Sequence, residues 1–294
     1  MGEPRLGLTP VDPATLARAA RSAGAIAGDP LSYARWMALL AGLGGARSRS
    51  RQAGITTLAL RPLDGHRVTV RLQGSDAKVL LDAFVDGWHV PPADTVADPG
   101  IVVDLGAAIG ITMAHYATLY PRARVVGVEL DAATARLAAS NLAPWADRCE
   151  IVAGAIWPED GTIAYGGATS EQCGFHVGAD DDEVVVGRAR ALSIETLFDE
   201  QGVDGQIDFL KMDIEGAEAR VLTEATGWAR RVRAIYVEVH GDYSVADCAA
   251  DLGRLGFAVE PSRRSSGVLG TRGPGLLNGR SALGRPTGGD SPSG

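Results

Sequence analysis

The order of hydrophobic and polar positions predicts a helical start to the chain. Apolar residues recur at helical spacing in PATLARAARSAGAIA and LSYARWMALLAGLG, and both segments follow an Asp-Pro pair. The next segment, ITTLALRPLDGHRVTVRLQ, alternates with a period of two around PLDGH, which predicts a hairpin. SDAKVLLDAFVDGWHVPP then predicts a short helix. We therefore expect a helical cap over residues 1–55, and a hairpin and helix over 56–99 that lead into the core.

From residue 100 onwards, short β-rich runs alternate with helical segments. The predicted strands are IVVDLG, RVVGVELD, CEIVAGAIW, IDFLKMDI, AIYVEVHG and FAVEP, with LLNGRSAL as a further strand near the end. Helices such as AATARLAASNLA and GAEARVLTEATGWA lie between them. Strands that alternate with helices of this length are typical of a parallel, doubly wound sheet. The pattern predicts an α/β core over residues 100–284 with about seven strands, followed by a disordered tail over 285–294.

Residues 157–192 interrupt this alternation. WPEDGTIAYGG and DDEVVVGRARAL have the pattern of β segments placed beside the main sheet. We expect this β insertion and the helical cap to set the shape of the substrate site.

Composition and charge narrow the possible functions. The 294 residues carry a net charge of -8, which argues against a nucleic-acid-binding face. No apolar run approaches the roughly 18 residues that a membrane span needs, and the N-terminus lacks the pattern of a signal peptide. Cys149, Cys173 and Cys248 show no paired or metal-binding spacing. These features predict a soluble, cytoplasmic protein without disulfides.

A glycine-containing turn, VVDLGAAIG, joins the first core strand to the next helix. Gly106 permits a tight turn, and Gly110 lets the helix begin close to a ligand. Glu129 ends the following strand about 20 residues further on, where a carboxylate can accept hydrogen bonds from both hydroxyls of a ribose. The spacing therefore predicts a nucleotide-containing cofactor.

Two cofactors are compatible with this geometry. A dinucleotide turn requires G-x-G-x-x-G, but Ala108 and Ile111 occupy the last two glycine positions. S-adenosylmethionine has an ammonium group that suits the acidic Asp104, so we favour this donor over NAD. The residues expected to bind it are Asp104, Gly106, Ala107, Gly110, Glu129, Leu130, Ala155 and Asp213. An NAD-dependent oxidoreductase is the alternative.

The stretch FLKMDIEGAE places a lysine inside an apolar strand and three carboxylates directly after it. An unpaired lysine at such a position would cost several kcal/mol, so Lys211 requires a carboxylate partner. Glu218 and Glu238 are the predicted partners. The helix dipole offers a structural explanation for carboxylates at the start of the following helix, such as Glu215 and Glu218.

Several spaced blocks in this order resemble the FkbM family of S-adenosylmethionine-dependent methyltransferases. The characteristic motif is matched by Lys211, Asp213, Glu215, Gly216 and Glu218. Ala108 and Leu130 replace an asparagine and a proline that are common in the family. The resemblance implies a class I methyltransferase, Rossmann-like, with a mostly parallel seven-stranded sheet. It also implies O-methylation of a hydroxyl on a small molecule, such as a sugar or a secondary metabolite.

Methyl transfer to a hydroxyl needs alignment of the acceptor and a base for its proton. His240 is the predicted base, Asp213 is the second candidate, and Glu238 lies beside them at a strand end. Asp213, Glu238 and His240 could alternatively bind Mg²⁺. Of the other histidines, 66, 89, 115 and 176 are expected to be structural or on the surface, although His89 could lie over the cofactor.

Three functions follow for comparison with the structure. The first is an O-methyltransferase that acts on a small-molecule hydroxyl, with no nucleic acid or membrane partner and an undetermined oligomeric state. The second is the NAD-dependent oxidoreductase. The third is a module that binds the cofactor without catalysis and contacts a partner protein.

Overall fold

The computed structural model describes residues 13–43, 54–72, 74–166, 176–177, 185–261 and 266–273. The helices are α1 (Pro13–Ile26), α2 (Pro30–Leu43), α3 (Asp76–Leu81), α4 (Ile111–Leu119), α5 (Ala132–Asn141), α6 (Ile194–Glu200), α7 (Glu218–Thr223) and α8 (Val245–Arg254). The strands are β1 (Ile55–Ala59), β2 (Arg67–Arg71), β3 (Ile101–Leu105), β4 (Arg124–Glu129), β5 (Cys149–Ala153), β6 (Ala155–Ile156), β7 (Gly161–Gly166), β8 (His176–Val177), β9 (Val185–Leu192), β10 (Ile207–Met212), β11 (Val232–Glu238), β12 (Ala258–Pro261) and β13 (Gly267–Thr271).

The core is a seven-stranded sheet in the order β12-β13-β11-β10-β3-β4-β5. Strands β11, β10, β3, β4 and β5 run parallel, and β13 is antiparallel to both of its neighbours. The central strands are buried on both faces, as expected when helices cover both sides of a parallel sheet. The prediction of a mostly parallel α/β sheet is therefore confirmed.

The seventh strand differs from the one that the sequence predicted. It is Gly267–Thr271, which pairs with β11, whereas LLNGRSAL lies outside the described residues, as does the tail 285–294. The segment GVLGT escaped prediction because its glycines and short length resemble a loop. Buried Val268 and close packing at Gly270 against Ile235 and Phe257 select the strand conformation instead.

The predicted third core strand is divided in two. Residues 149–153 form β5 in the main sheet, whereas Ala155 and Ile156 form β6, which pairs with β9. Gly154 lies at the division, and a Cβ there would be only 3.0 Å from the Arg190 carbonyl oxygen. This close contact between backbones allows the chain to pass from one sheet to the other.

The β insertion forms a separate four-stranded sheet in the order β6-β9-β7-β8. Strands β7 and β9 pair antiparallel over Gly161–Gly166 and Val185–Leu192. A β insertion beside the main sheet was predicted, and its described part has this form.

The N-terminal region packs against the side of the core that lies opposite the β insertion. Helices α1 and α2 contact each other, and β1 and β2 form the predicted hairpin with its turn at residues 60–66. Helix α3 follows and continues into a π-helical turn over Asp82–Asp86. No helix among the described residues is long and apolar enough to cross a membrane.

The turn after β3 is packed tightly against the turn after β10. Gly106 has a φ of 84°, and a Cβ at this position would lie 1.7 Å from the carbonyl oxygen of Asp213. Asp213 in turn donates its backbone N–H to the carbonyl oxygen of Leu105 at 3.0 Å. Glycine at position 106 is therefore required to bring these two strand ends together.

We predict that Gly106→Ala lowers the free energy of unfolding by about 3 kcal/mol or more, because the methyl group would collide with backbone and its φ is unfavourable for alanine. Urea denaturation measures the change. Gly24→Ala is the matched control, since Gly24 lies within α1 and a Cβ added there would have no neighbouring atom within 4 Å. We expect the control to be stabilised by about 0.5–1 kcal/mol. Equal stability of the two variants would contradict this account of the turn.

Candidate active site

A cleft lies at the carboxyl ends of the parallel strands, where open α/β sheets bind ligands. It encloses about 1030 Å³ of space, including its open mouth. Its lining comes from the ends of β3, β4, β10 and β11, from β6 and from the α3 segment. The residues are Ser75, Lys78, Val79, Asp82, Ala83, Trp88, Gly106, Ala107, Ala108, Thr112, Val128, Glu129, Leu130, Gly154, Ala155, Ile156, Lys211, Asp213, Ile214, Glu215, Glu238 and His240.

One end of the cleft is formed by the glycine turn and Glu129. The Glu129 carboxylate accepts hydrogen bonds from the backbone N–H groups of Ala108, at 3.0 Å, and Asp131, at 2.9 Å. Burial raises the pKa of Glu129 to about 7, although these two hydrogen bonds act in the opposite direction. A buried carboxylate that is already oriented by backbone donors can present its remaining lone pairs to ligand hydroxyls.

Ala108 adopts a left-handed conformation with a φ of 46°. Asparagine tolerates this region of φ better than most residues with a Cβ, so the asparagine that the family resemblance implies would fit the same turn. The Ala108 N–H still reaches Glu129, so the smaller side chain preserves the turn.

The floor of the cleft is an ion-pair cluster around Lys211. Its ammonium group lies 3.0 Å from Asp104 Oδ1, 2.9 Å from the carbonyl oxygen of Gly106 and 3.3 Å from Asp213 Oδ2. Thr112 donates its hydroxyl to the other oxygen of Asp104. Burial alone would lower the pKa of Lys211, but the charge of Asp104, followed by that of Asp213, raises it above its ordinary value.

The partner predicted for Lys211 was wrong. Neither Glu218 nor Glu238 contacts the ammonium group, whereas Asp104 lies directly beside Lys211 in the register of β10 and β3. Asp104 is fully buried and does not line the cleft, because its carboxylate is already engaged by Lys211 and Thr112. Its role in binding the donor stays a prediction, and it supports the cleft from below.

The DIEG turn after β10 brings the other carboxylates to His240. Glu218 is completely buried and accepts the backbone N–H groups of Ile214 and Gly216 at 3.1 and 2.9 Å. The same carboxylate lies 2.8 Å from His240 Nδ1. This contact fixes the ring, so that Nε2 faces Asp213 at 3.6 Å and Glu215 at 3.7 Å.

The electrostatics of this end are dominated by carboxylates. Burial would lower the pKa of His240, but the hydrogen bond to Glu218 and the charges of Glu215 and Asp213 raise it to about 9. Burial, together with the charge of Asp213, raises the pKa of Glu215 to about 8 and that of Glu238 to about 7. The histidine is thus held in its protonated form at neutral pH in the ligand-free cleft.

The set of atoms that could bind a cation differs from the one predicted. Asp213, Glu215 and His240 offer ligand atoms within 4.8 Å of one another, whereas Glu238 stands outside this group. Lys211 already pairs with Asp213. Binding of Mg²⁺ stays a prediction.

The structure brings most of the predicted site residues into one cleft. Gly106, Ala107, Glu129, Leu130, Ala155, Asp213, Glu238 and His240 all line it. Gly110 does not, and instead caps α4, where a Cβ would meet Ala138 at 3.2 Å. His89 does not lie over the cleft either, because it is buried against Tyr116 and His115 behind Trp88.

The wall opposite the strand ends was not predicted. It consists of α3 and the turn that follows it, with Lys78 and Asp82 paired at 2.7 Å. No described residue of α1, α2, β7, β8 or β9 lines the cleft, so the expectation that the cap and the insertion shape it is wrong for the described residues. The clue available in the sequence was Lys78, one of only two lysines in the chain.

This fold, with a glycine turn, an acidic residue after the second core strand and a polar cleft at the strand ends, defines a class I methyltransferase. The sequence pattern of the methyltransferase FkbM domain matches residues 104–259, and the chain belongs to this family. The predicted resemblance is thereby confirmed.

Individual proteins with similarity to the chain were also found. The AMB antimetabolite synthetase AmbE of Pseudomonas aeruginosa is 28% identical over 238 residues, which are 66% of this chain and 11% of AmbE. The chain therefore spans about a tenth of the length of that relative. Two solved structures are an O-methyltransferase family protein from Burkholderia thailandensis (16% identity, 68% of this chain, 59% of that chain, TM-score 0.40) and precorrin-6y C5,15-methyltransferase from Geobacter metallireducens (13% identity, 63% and 85%, TM-score 0.37).

We predict that Lys211→Met lowers the free energy of unfolding by about 3–5 kcal/mol, because it leaves Asp104 buried without its counter-charge. Lys78→Met is the matched control, since Lys78 forms an exposed pair with Asp82 and should contribute less than about 1 kcal/mol. The double variant Asp104→Asn/Lys211→Met should recover part of the loss. Urea denaturation measures all three, and a tolerated Lys211→Met would refute the proposed floor of the cleft.

We also predict that S-adenosylmethionine binds more tightly as the pH rises through about 7, because Glu129 must be ionised to accept hydrogen bonds from both ribose hydroxyls. Glu129→Gln should weaken binding by about tenfold and remove this component of the pH dependence. Equilibrium dialysis with labelled donor measures both effects. Glu238→Gln is the control, and it should retain the dependence that arises from Glu129.

Proposed function

We propose that the chain transfers a methyl group from S-adenosylmethionine to a hydroxyl of a small molecule, with His240 as the base. The observation that carries this proposal is the contact of 2.8 Å between Glu218 and His240 Nδ1. It leaves Nε2 as the ring atom that faces the other carboxylates of the cleft. A buried carboxylate that fixes one nitrogen of an imidazole is a common way to orient a general base.

The residues at the Glu129 end suit the methyl donor. Glu129 would accept hydrogen bonds from the ribose hydroxyls. The backbone of Gly106 and Ala107 would contact the methionine part of the donor. Ala155 and Ile156 flank the adjoining space, where the small side chain of Ala155 leaves room for the adenine ring. S-adenosylmethionine, when bound, supplies an electrophilic methyl group on a positively charged sulfur.

The residues at the other end would manage the acceptor. His240 Nε2 takes the proton of the hydroxyl, provided that the ring is neutral. His240 keeps its Nδ1 proton and donates it in a hydrogen bond to Glu218, and this carboxylate stabilises the positive charge that the ring then gains. Asp213 is the second candidate base, but its pairing with Lys211 favours a role in orienting the hydroxyl.

A small-molecule acceptor of secondary metabolism is supported by the relative AmbE, whose name describes an antimetabolite synthetase. The family supports methyl transfer in general. The position that is methylated requires identification of the product.

The function is tested by incubating the protein with labelled S-adenosylmethionine and a panel of hydroxyl compounds. Binding of the donor and label in an ether product are expected. His240→Gln should reduce kcat by about 10²–10⁴-fold and leave donor affinity nearly unchanged. His66→Gln is the control, because His66 is an exposed residue at the turn of the hairpin, where it packs against Trp145 and does not line the cleft. Binding of NADH without binding of S-adenosylmethionine would refute the proposal.

The pH dependence supplies an independent check on the base. Because His240 must lose its proton before it can act, kcat/KM should rise with pH up to about 9, the pKa of the free protein. Glu218→Gln removes the carboxylate that raises this pKa, so the rising limb should move to lower pH. A profile that does not change in Glu218→Gln would exclude His240 as the group that titrates.

A further inference from the structure

Carboxylates outnumber cations along the cleft. Among the described residues, five carboxylates line it, and they face three cations, Lys78, Lys211 and the protonated ring of His240. The carboxylates are Asp82, Glu129, Asp213, Glu215 and Glu238. Both lysines are already paired, Lys78 with Asp82 at 2.7 Å and Lys211 with Asp104 and Asp213. Neither lysine forms an ion pair with Glu215 or Glu238, and the charges of the two lysines act on Glu238 only from a greater distance.

These two carboxylates are the ones with the weakest partners. Glu238 ends β11, and within the described part of the chain its carboxylate makes no hydrogen bond or ion pair. Among the residues that the structure describes, Glu215 has an ion-pair contact only with His240, at 3.7 Å, and that ring lies closer to Glu218, at 2.8 Å. Both side chains are partly buried, so water solvates their negative charges incompletely.

The methyl donor does not remove this excess of negative charge. Glu129, which would hold the ribose, lies at the end of β4, and Glu238 lies at the end of β11, three strands away in the sheet. At about 4.8 Å between neighbouring strands, the two strand ends are separated by about 14 Å. The donor carries one net positive charge, which cannot neutralise both ends of the cleft together with Asp213.

We infer that the acceptor carries a protonated amine near the hydroxyl that is methylated, and that Glu238 and Glu215 bind this amine. An ammonium group offers hydrogen-bond donors to both carboxylates, whereas a neutral or anionic acceptor leaves them unpaired. Val79, Ala83 and Trp88 form an apolar wall at this cleft, against which the carbon skeleton packs. The inference rests on the proposed function and names its substrate class, a hydroxyl-bearing amine.

The protonation of the ligand-free cleft agrees with this assignment. The pKa values of Glu215 and Glu238 are raised to about 8 and about 7 by burial and by Asp213, as expected for carboxylates that lack a bound cation. An ammonium group between them would reverse this effect.

The test uses pairs of hydroxyl compounds in which N-acetylation removes the positive charge of one nitrogen. The probes are methyl 2-amino-2-deoxyglucoside with its N-acetyl derivative, and serine methyl ester with N-acetylserine methyl ester. Calorimetry measures their binding to the full chain loaded with S-adenosylhomocysteine, in the presence of EDTA so that no metal bridges the ligand. We expect at least one amine to bind about tenfold more tightly than its acetylated partner.

Variants assign this preference to the two carboxylates. Glu238→Gln and Glu215→Gln should each reduce it severalfold, because each removes one acceptor of the ammonium hydrogen bonds. Glu224→Gln is the matched control, since it removes the same charge from an exposed pair with Arg220, outside the cleft. The control should keep the full preference.

The outcomes separate this inference from the proposed function. If neutral probes bind as tightly as the amines, or if no amine binds, the inference is overturned. Methyl transfer from labelled donor to a neutral compound with the same efficiency also overturns it, although the proposed function then stands. A protein that fails to bind S-adenosylhomocysteine overturns both.

Discussion

The buried ammonium group of Lys211 is the interaction on which the site depends. It lies between the turns after two neighbouring strands and contacts Asp104 and the Gly106 carbonyl oxygen on one side and Asp213 on the other. The first turn forms the end of the cleft that contains Glu129, and the second begins the DIEG segment at the end that contains His240. One cation thus fixes the relative position of two loops that are more than 100 residues apart in the chain. Both the stability of the core and the geometry of the cleft therefore depend on Lys211.

Much of this arrangement could be predicted from the sequence because it depends on local patterns. Alternating strands and helices predicted the sheet, and the positions of Gly106 and Glu129 at the ends of neighbouring strands predicted that both line one cleft. The partner of Lys211 could not be predicted in this way. It depends on β10 lying beside β3, and strand order is a property of the whole sheet. The sequence shows only that a buried lysine needs a carboxylate partner. Asp104 was predicted to bind the methyl donor and was not considered as that partner.

Glu218 shows a second limit of sequence reasoning. Its position at the start of a helix favours an explanation by the helix dipole, yet its carboxylate is used by two backbone N–H groups and by His240. His240 follows β11 in the chain, so it reaches Glu218 only when β11 has taken its place in the sheet beside β10. A residue can therefore serve its own turn and a distant ring at once, and only the three-dimensional arrangement reveals the second partner.

The wall formed by α3 and its π-helical turn is built differently from the rest of the cleft. Both ends of the wall, Ser75 and Trp88, belong to one short continuous segment, whereas the donor pocket is assembled from strand ends scattered along the chain. Replacement of this single stretch would therefore change one wall of the cleft and leave the strand ends that form the rest of its lining in place.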